Sequence, residues 1–269
     1  MYIKFACNIS TMFTDLPTLK ERYEYICFRS PIHFDAVECQ DPYILSIDEW
    51  REIFDSCSKR GAKLPTWELI NSPALFNVFP GEQVPTFDEY KRTVLEKTLE
   101  YAKFLGCSKV HLILGDLSCK QNNPDELNPN SEKIVNLLYD SVHYLGEEKI
   151  TCLIEPLSLK ERENYYLRSY KLGYQIVQNC KHDNLRLLTD IYHLQRLEGN
   201  LSETIRKYMP LTGHVQVSQV PWRDNPFNTG EIDYRYILKI LRDVYFGYIG
   251  LEFKCSTLTD LSWISSYTR

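Results

Sequence analysis

Apolar residues along this chain fall into two alternating patterns. Short, nearly continuous runs bounded by glycine, proline and polar clusters read as buried strands. There are eight: Tyr2–Asn8, His33–Cys39, Ala62–Leu69, Lys109–Gly115, Lys149–Glu155, Leu185–Asp190, Gly213–Val217 and Gly247–Phe253. Between them apolar residues recur with helical spacing. The clearest case is Thr86 to Leu105, where Val94, Leu95, Leu99, Ala102 and Phe104 stand among lysines and glutamates. Ser46 followed by Ile47-Asp48-Glu49 has the form of a capping box and predicts a helix start. Asp233 before the amphipathic stretch Tyr234–Val244, with Gly247 after it, predicts an N-cap and a helix end.

Strand and helix in strict alternation imply a parallel sheet, because each helix returns the chain to the same edge. Eight such units favour closure into a (β/α)8 TIM barrel, and the 269 residues match a fold that needs about 250. The rival is an open doubly wound sheet. Against it, the first strand ends in Asn8-Ile9-Ser10 and no G-x-G-x-x-G turn follows it. No linker, repeat or low-complexity tract divides the chain, so residues 1–269 read as a single TIM-barrel domain. The Asn/Pro-rich stretch Gln121–Ser131 reads as a loop after the fourth strand. Asn71–Pro85, with Phe76 and Phe79 and with Phe87 beside it, reads as either a lid or a packed surface loop.

The 31 basic and 36 acidic residues leave a formal net charge of -5, without the basic excess of a nucleic-acid binder. The expected partner is a small molecule, with no nucleic acid and no membrane; a homo-oligomer is compatible with this composition. The nine cysteines form no C-x-x-C pair, and Cys7, Cys39 and Cys152 lie in strand-like runs. They read as reduced, buried thiols of a cytoplasmic protein. No secretory leader is visible, and no apolar run approaches the ~18 residues that span a bilayer.

Barrel active sites lie where the strands finish. The fifth strand ends on Glu155, the sixth on Asp190 and the eighth on Glu252, and Gln216 lies near the end of the seventh. Three carboxylates brought together repel one another unless a cation or protons compensate. Oxygen ligands of this kind suit Mg2+ or Mn2+ better than zinc. The structural alternative is ion pairing with basic residues such as Arg186 or Lys254.

The C-terminal half carries Ile154-Glu155-Pro156-Leu157, Asp190-Ile191-Tyr192-His193-Leu194-Gln195, Gly213-His214-Val215-Gln216-Val217, Gly230-Glu231-Ile232-Asp233-Tyr234 and Gly250-Leu251-Glu252-Phe253-Lys254. With Phe5-Ala6-Cys7-Asn8, Ala36-Val37-Glu38 and Leu69-Ile70-Asn71-Ser72-Pro73 in the first half, these segments resemble the hydroxypyruvate isomerase family of xylose-isomerase-like barrels. The resemblance implies an aldose–ketose isomerase of carbohydrate metabolism. It implies metal ligation by Glu155, Asp190, Gln216 and Glu252, and substrate contacts from His193 and Arg223. Related sugar epimerases usually have histidine where Gln216 stands, so glutamine leans toward the isomerase. The chain also departs from the family pattern. Ser158 replaces an asparagine, Asp224-Asn225-Pro226 follows Arg223 in place of Gly-Glu-Pro, and Ala74-Leu75-Phe76 replaces a glycine-aspartate pair.

Hydroxypyruvate and tartronate semialdehyde interconvert through an enediolate. That chemistry needs a base, a proton return and charge stabilisation on two oxygens. Glu155 and Glu252, on strands separated by two others, can face each other as the catalytic acid–base pair. His193 can donate a hydrogen bond to a substrate oxygen, or face solvent at a helix start. Arg223 can bind a carboxylate through its guanidinium fork, or be a solvated loop residue. His214 shares strand parity with Gln216 and is expected to support the site from beneath. Lys254 is expected to pair with a ligand acid, and Glu38 is a candidate for the opposite wall. Three alternatives compete. One is a divalent-metal ketose epimerase or isomerase of the same fold. Another is a DNA-repair endonuclease, disfavoured by the acidic balance and only six histidines. The third is a non-catalytic metal-binding barrel.

Overall fold

The computed structural model of the chain describes residues 2–73, 84–116, 125 and 129–268, with residues 129–131 described by their backbone alone. The strands are β1 (Lys4–Asn8), β2 (Ala36–Cys39), β3 (Thr66–Asn71), β4 (Lys109–His111), β5 (Thr151–Ile154), β6 (Leu185–Asp190), β7 (Thr212–Val217) and β8 (Tyr248–Leu251). Every neighbouring pair is parallel, and β8 pairs with β1, so the sheet closes in sequence order. This is the expected (β/α)8 barrel. Alternate residues of each strand face the helices: Val37, Ile70, Val110, Ile154, Leu187, Val215 and Ile249 are all buried in the large outer core. Leu69, Leu153 and Leu188 form a separate, smaller cluster. By strand parity Leu153 and Leu188 lie one layer below Glu155 and Asp190.

The helices follow the sequence signals closely where a cap is written into the chain. α1 (Leu19–Phe28) and α2 (Ile47–Lys59) each open with a complete capping box, Thr18 with Glu21 and Ser46 with Glu49. Trp50 on α2 is fully buried, donates Nε1–H to the Pro42 carbonyl at 2.9 Å and meets Trp67 of β3 edge-on at 5.1 Å. The Thr86–Leu105 stretch is helical from Phe87, with Thr86 as its N-cap. It is built as α3 (Phe87–Tyr90), one π turn at Lys91–Leu95, and α4 (Glu96–Leu105). The wider turn shifts the helical register partway along this stretch. α5 (Pro129–Glu147), α6 (Tyr170–Cys180), α7 (Ile191–Leu197), α8 (Leu201–Tyr208) and α9 (Tyr234–Val244) complete the ring.

Three expectations change. β4 stops at His111, where its neighbour β3 ends at the paired residue Asn71; Leu112 and Leu114 beyond it are buried outside the strand. β3 begins at Thr66 and runs on to Asn71, later than expected at both ends. Gly247 does not cap α9, which ends at an extended Tyr245; a Cβ on Gly247 would lie 2.4 Å from the Tyr245 hydroxyl, so the glycine serves close approach. The stretch Gln121–Ser131, save Asp125 and the backbone at 129–131, and residues 74–83 of the Asn71–Pro85 loop lie outside the described residues.

Ser46→Ala removes the acceptor for the Glu49 N–H and the hydroxyl donor to the Glu49 carboxylate, while the backbone N–H at position 46 keeps its bond to Glu49. The variant is expected to lose about 1 kcal/mol in urea unfolding with an unchanged m-value. No loss would mean that solvent replaces the cap.

Candidate active site

The barrel's register sets the site. Asp190 of β6 pairs with Gln216 of β7, and Gln216 pairs with Gly250 of β8, two residues before Glu252. Glu155 follows the last residue of β5. The four expected ligands therefore leave four successive strands at the same end, and all four are buried. Asp190 also caps α7, accepting the Tyr192 N–H at 2.9 Å on Oδ1. Its Oδ2 is left for the site. There, Arg223 Nη2 reaches Asp190 Oδ2 at 3.3 Å and Glu252 Oε2 at 2.7 Å, while Nη1 reaches Glu161 at 3.2 Å. The second oxygen of Glu252 accepts a bond from the Gln40 side-chain amide. His193 Nε2 stands 3.8 Å from both Glu155 Oε1 and Asp190 Oδ2.

Burial is the largest influence on these acids. It pushes the Glu155 carboxyl well above the ordinary range, helped by repulsion from Glu252 and Asp190. It carries Asp190 up to about 7 against the opposing pull of Arg223. Glu252 is raised by burial as well, with Arg223 opposing and Glu38 reinforcing. Burial alone would lower Arg223, but the surrounding carboxylates outweigh it and hold the guanidinium charged. The pocket thus favours positive charge strongly. Two buried oxygens, Glu155 Oε1 and Gln216 Oε1, have no hydrogen-bond partner among the described residues. Unpartnered oxygens beside crowded carboxylates are a donor set that fits a hard divalent cation. Glu155, Asp190 and His193 also lie close enough together to hold one ion.

Residues 32–267 match the family model of the xylose isomerase-like TIM barrel. The chain belongs to that family. A Danio rerio protein provisionally named hydroxypyruvate isomerase is 30% identical across 99% of this chain and 96% of its own length. A Haemophilus influenzae 2-oxo-tetronate isomerase is 32% identical across 98% and 99%. Among solved structures, an AP endonuclease of family 2 from Brucella melitensis superposes with a TM-score of 0.82 at 24% identity, covering the whole of both chains. That likeness concerns the fold alone.

The departures from the xylose isomerase-like family pattern now have physical surroundings. Ser158 sits against His193: its backbone N–H donates to His193 Nδ1 at 3.0 Å, and its hydroxyl lies 3.2 Å from the same nitrogen. The N–H bond uses the Nδ1 lone pair. A neutral ring must then carry its proton on Nε2. Burial, with Arg223 and Arg196 nearby, keeps His193 well below the usual histidine range and therefore neutral. Although His193 is near enough to the acids to ligate, this tautomer makes Nε2 a hydrogen-bond donor aimed between Glu155 and Asp190. The altered loop around Arg223 is wound on Gln219. That buried amide donates to the carbonyls of Pro226, Asn228 and Ile232 and accepts from the N–H groups of Val220 and Ile232. Asn225 ties the loop to the Asp260 carbonyl at 3.0 Å. Arg223 is thereby presented to the site despite the missing Gly-Glu-Pro.

Lys254 is exposed and, among the described residues, makes no ion pair with a site acid; only its backbone N–H bonds, to the Arg223 carbonyl. Arg223 fills that role because its loop reaches over the mouth. Arg186 bonds the Asp183 and Pro210 carbonyls instead of the strand-end acids. His214 is buried against Glu38, as strand parity required, and Glu38 lies inside the barrel. Three neighbours escaped sequence reasoning: Gln40, Glu161 and His111. His111 ends β4 with Nδ1 3.8 Å from Glu155 Oε2, and burial lowers it to about 3, so it too is neutral. Its signal was available, since the strand-end rule applied to a correctly terminated β4 selects it.

The His193 assignment predicts an observable. In 15N-labelled protein, the neutral imidazole is expected to carry its proton on Nε2 and to titrate well below the usual histidine range, because burial and the neighbouring guanidinium groups disfavour the charged ring. A ring that titrates near pH 6.5, or carries its proton on Nδ1, would make it a conventional histidine or a candidate ligand.

Proposed function

We propose that the protein is an isomerase that interconverts hydroxypyruvate and tartronate semialdehyde with a bound Mg2+ or Mn2+. The observation that carries this reading is the set of buried carboxylates around Glu155 and Glu252, with Arg223 and the Nε2–H of His193 beside them. The names of curated relatives supply the substrate class. Glu155, Asp190, Gln216 and Glu252 would hold the metal, whose positive charge would polarise the substrate carbonyl and stabilise negative charge on neighbouring oxygens.

The chain's own groups account for the proton movements. Glu252, held by Arg223 and Gln40, is the carboxylate best kept ionised and takes a proton from C3 of hydroxypyruvate. The resulting enediolate receives a proton at C2 from Glu155, while the C3 hydroxyl proton moves to the C2 oxygen. His193 Nε2–H donates to a substrate oxygen and accepts no proton itself. Arg223 shares its guanidinium between the site acids and the substrate carboxylate, which fits a short anionic substrate better than a neutral sugar. The likeness to a 2-oxo-tetronate isomerase supports one second reading, a four-carbon 2-oxo acid.

Two variants test the scheme. Glu252→Gln keeps one oxygen donor and removes the base; turnover is expected to fall by about 10²–10⁴-fold. Wild-type protein with metal supplied is expected to incorporate solvent deuterium at carbon, and this variant to lose the exchange. Turnover unchanged in Glu252→Gln would remove it from the acid–base role. Asp190→Ala is expected to weaken Mn2+ binding in calorimetry together with activity, and unchanged affinity would exclude Asp190 as a ligand. Hydroxypyruvate, a four-carbon 2-oxo acid and a ketose panel assayed side by side decide the substrate.

A further inference from the structure

Below the carboxylates, the barrel interior holds a second polar layer that the proton transfers do not use. Glu38 of β2 is its centre and is 1% exposed. His214 Nε2 stands 2.5 Å from Glu38 Oε1. Glu38 Oε2 accepts from the Gln216 side-chain amide at 2.8 Å and from the Asn8 side-chain amide at 3.3 Å. Behind His214, Nδ1 lies 3.7 Å from Glu68 Oε1, and Glu68 is paired with Lys109 at 2.5 Å. Basic and acidic groups therefore alternate along a row from the half-buried Lys109 and Glu68 to the buried His214 and Glu38, and the row ends on the Gln216 amide. Gly250 leaves the room for it: a Cβ there would lie 2.1 Å from Glu38 Oε1.

A glutamine side chain has two ends of nearly equal shape and opposite chemistry. The oxygen end can bind a cation; the NH2 end repels one. A carboxylate only accepts hydrogen bonds, so the Gln216 end that faces Glu38 must be NH2. Its oxygen must then face the other way. Gln216 Oε1 is buried without a partner. A flip would put two acceptors against each other in the barrel interior and lose a charge-assisted hydrogen bond.

We infer that Glu38 is a positioning residue that fixes the Gln216 side-chain amide with its oxygen toward the metal site, so that a neutral glutamine serves as a ligand. The inference rests on the reading of Gln216 as a ligand. His214, Glu68 and Lys109 act one step further back by holding Glu38 in place.

Mn2+ binding to the metal-free protein, followed by electron paramagnetic resonance, tests this without recourse to activity. Glu38→Gln can present either end of its own amide to Gln216 and no longer dictates the orientation. It is expected to weaken Mn2+ binding about 10- to 100-fold, the usual effect of losing a residue that orients a ligand. The exchange Glu38→Gln with Gln216→Glu rebuilds the bond with donor and acceptor reversed, and is expected to recover most of the lost affinity. Gln216→Glu alone brings the same charged ligand against an unaltered Glu38 and is expected to bind Mn2+ less tightly than the double exchange; equal or tighter binding by the single variant would overturn the positioning role. Gln216→Ala separates the two layers of argument. If it weakens binding and a folded Glu38→Gln does not, the positioning role is overturned and the ligand role stands. If Gln216→Ala leaves binding unchanged, both fall. Should Glu38→Gln fail to fold, the wild-type protein still decides. Mg2+ is expected to shift the Gln216 side-chain carbonyl carbon while its NH2 protons stay protected from exchange. Protection lost on adding Mg2+ would mean that the amide turns over, and would overturn the inference.

Discussion

Carboxylates buried side by side are the constraint around which this molecule is organised. Glu155, Asp190 and Glu252 leave neighbouring or near-neighbouring strands at one end of the barrel, and none has bulk water to screen it. Two unit charges about 4 Å apart repel by roughly 4 kcal/mol at a typical effective protein dielectric. The chain answers in several ways at once. Arg223 bridges Asp190 and Glu252, Asp190 spends one oxygen on the start of α7, and Gln40 donates to Glu252. What these contacts leave over is a pocket with raised carboxyl groups and oxygens without donors. Such a pocket fits the positive charge that the proposed isomerase reaction would need at that point.

The barrel and the identity of the strand-end acids were legible in the chain because both follow from periodicity. A parallel strand buried on both faces reads as a mostly apolar run, and a polar residue at its end stands out against it. The same logic identifies Asp190 and Glu252 and, once β4 is ended at His111, that residue as well. What could not be read is whatever depends on register between strands or on a backbone group. Glu38 and Gln216 are 178 positions apart. Their contact exists only because β7 and β2 face each other across a closed barrel. The proton position on His193 is dictated by a main-chain N–H, which every non-proline residue possesses and no residue type announces. The replacement at Ser158 hides this further, since the decisive donor at that position belongs to the backbone.

The loop after β7 shows how a family pattern can change without the site losing its cation. The stretch Asp224-Asn225-Pro226 departs from the family pattern in sequence. In the structure the loop is organised by the Gln219 amide, whose donors and acceptors are all engaged with backbone groups. A Cβ on Gly230 would lie 2.4 Å from that side chain, so the glycine and the glutamine act as a pair. Arg223 depends on this arrangement more than on the residues that immediately follow it.

The two layers inside the barrel divide the electrostatic work. The upper layer is negative and carries the groups proposed to bind a cation and the substrate. The lower layer, from Lys109 through Glu68 and His214 to Glu38, carries alternating sign. Burial alone would lower His214, but Glu38 and Glu68 reverse that and raise it, which suits an imidazolium between two acids. An apolar layer of ordinary barrel type would fill the same volume, but it offers no acceptor for the Gln216 NH2. That NH2 would then be free to turn upward, and the ring of oxygens above would gain a donor where a lone pair is required. A polar layer beneath the site costs desolvation, and it is tolerable because its members are bonded to one another. On the proposed reading of Gln216, the orientation imposed on one neutral amide is the physical return: it would add a fourth donor oxygen to three carboxylates without adding a fourth negative charge.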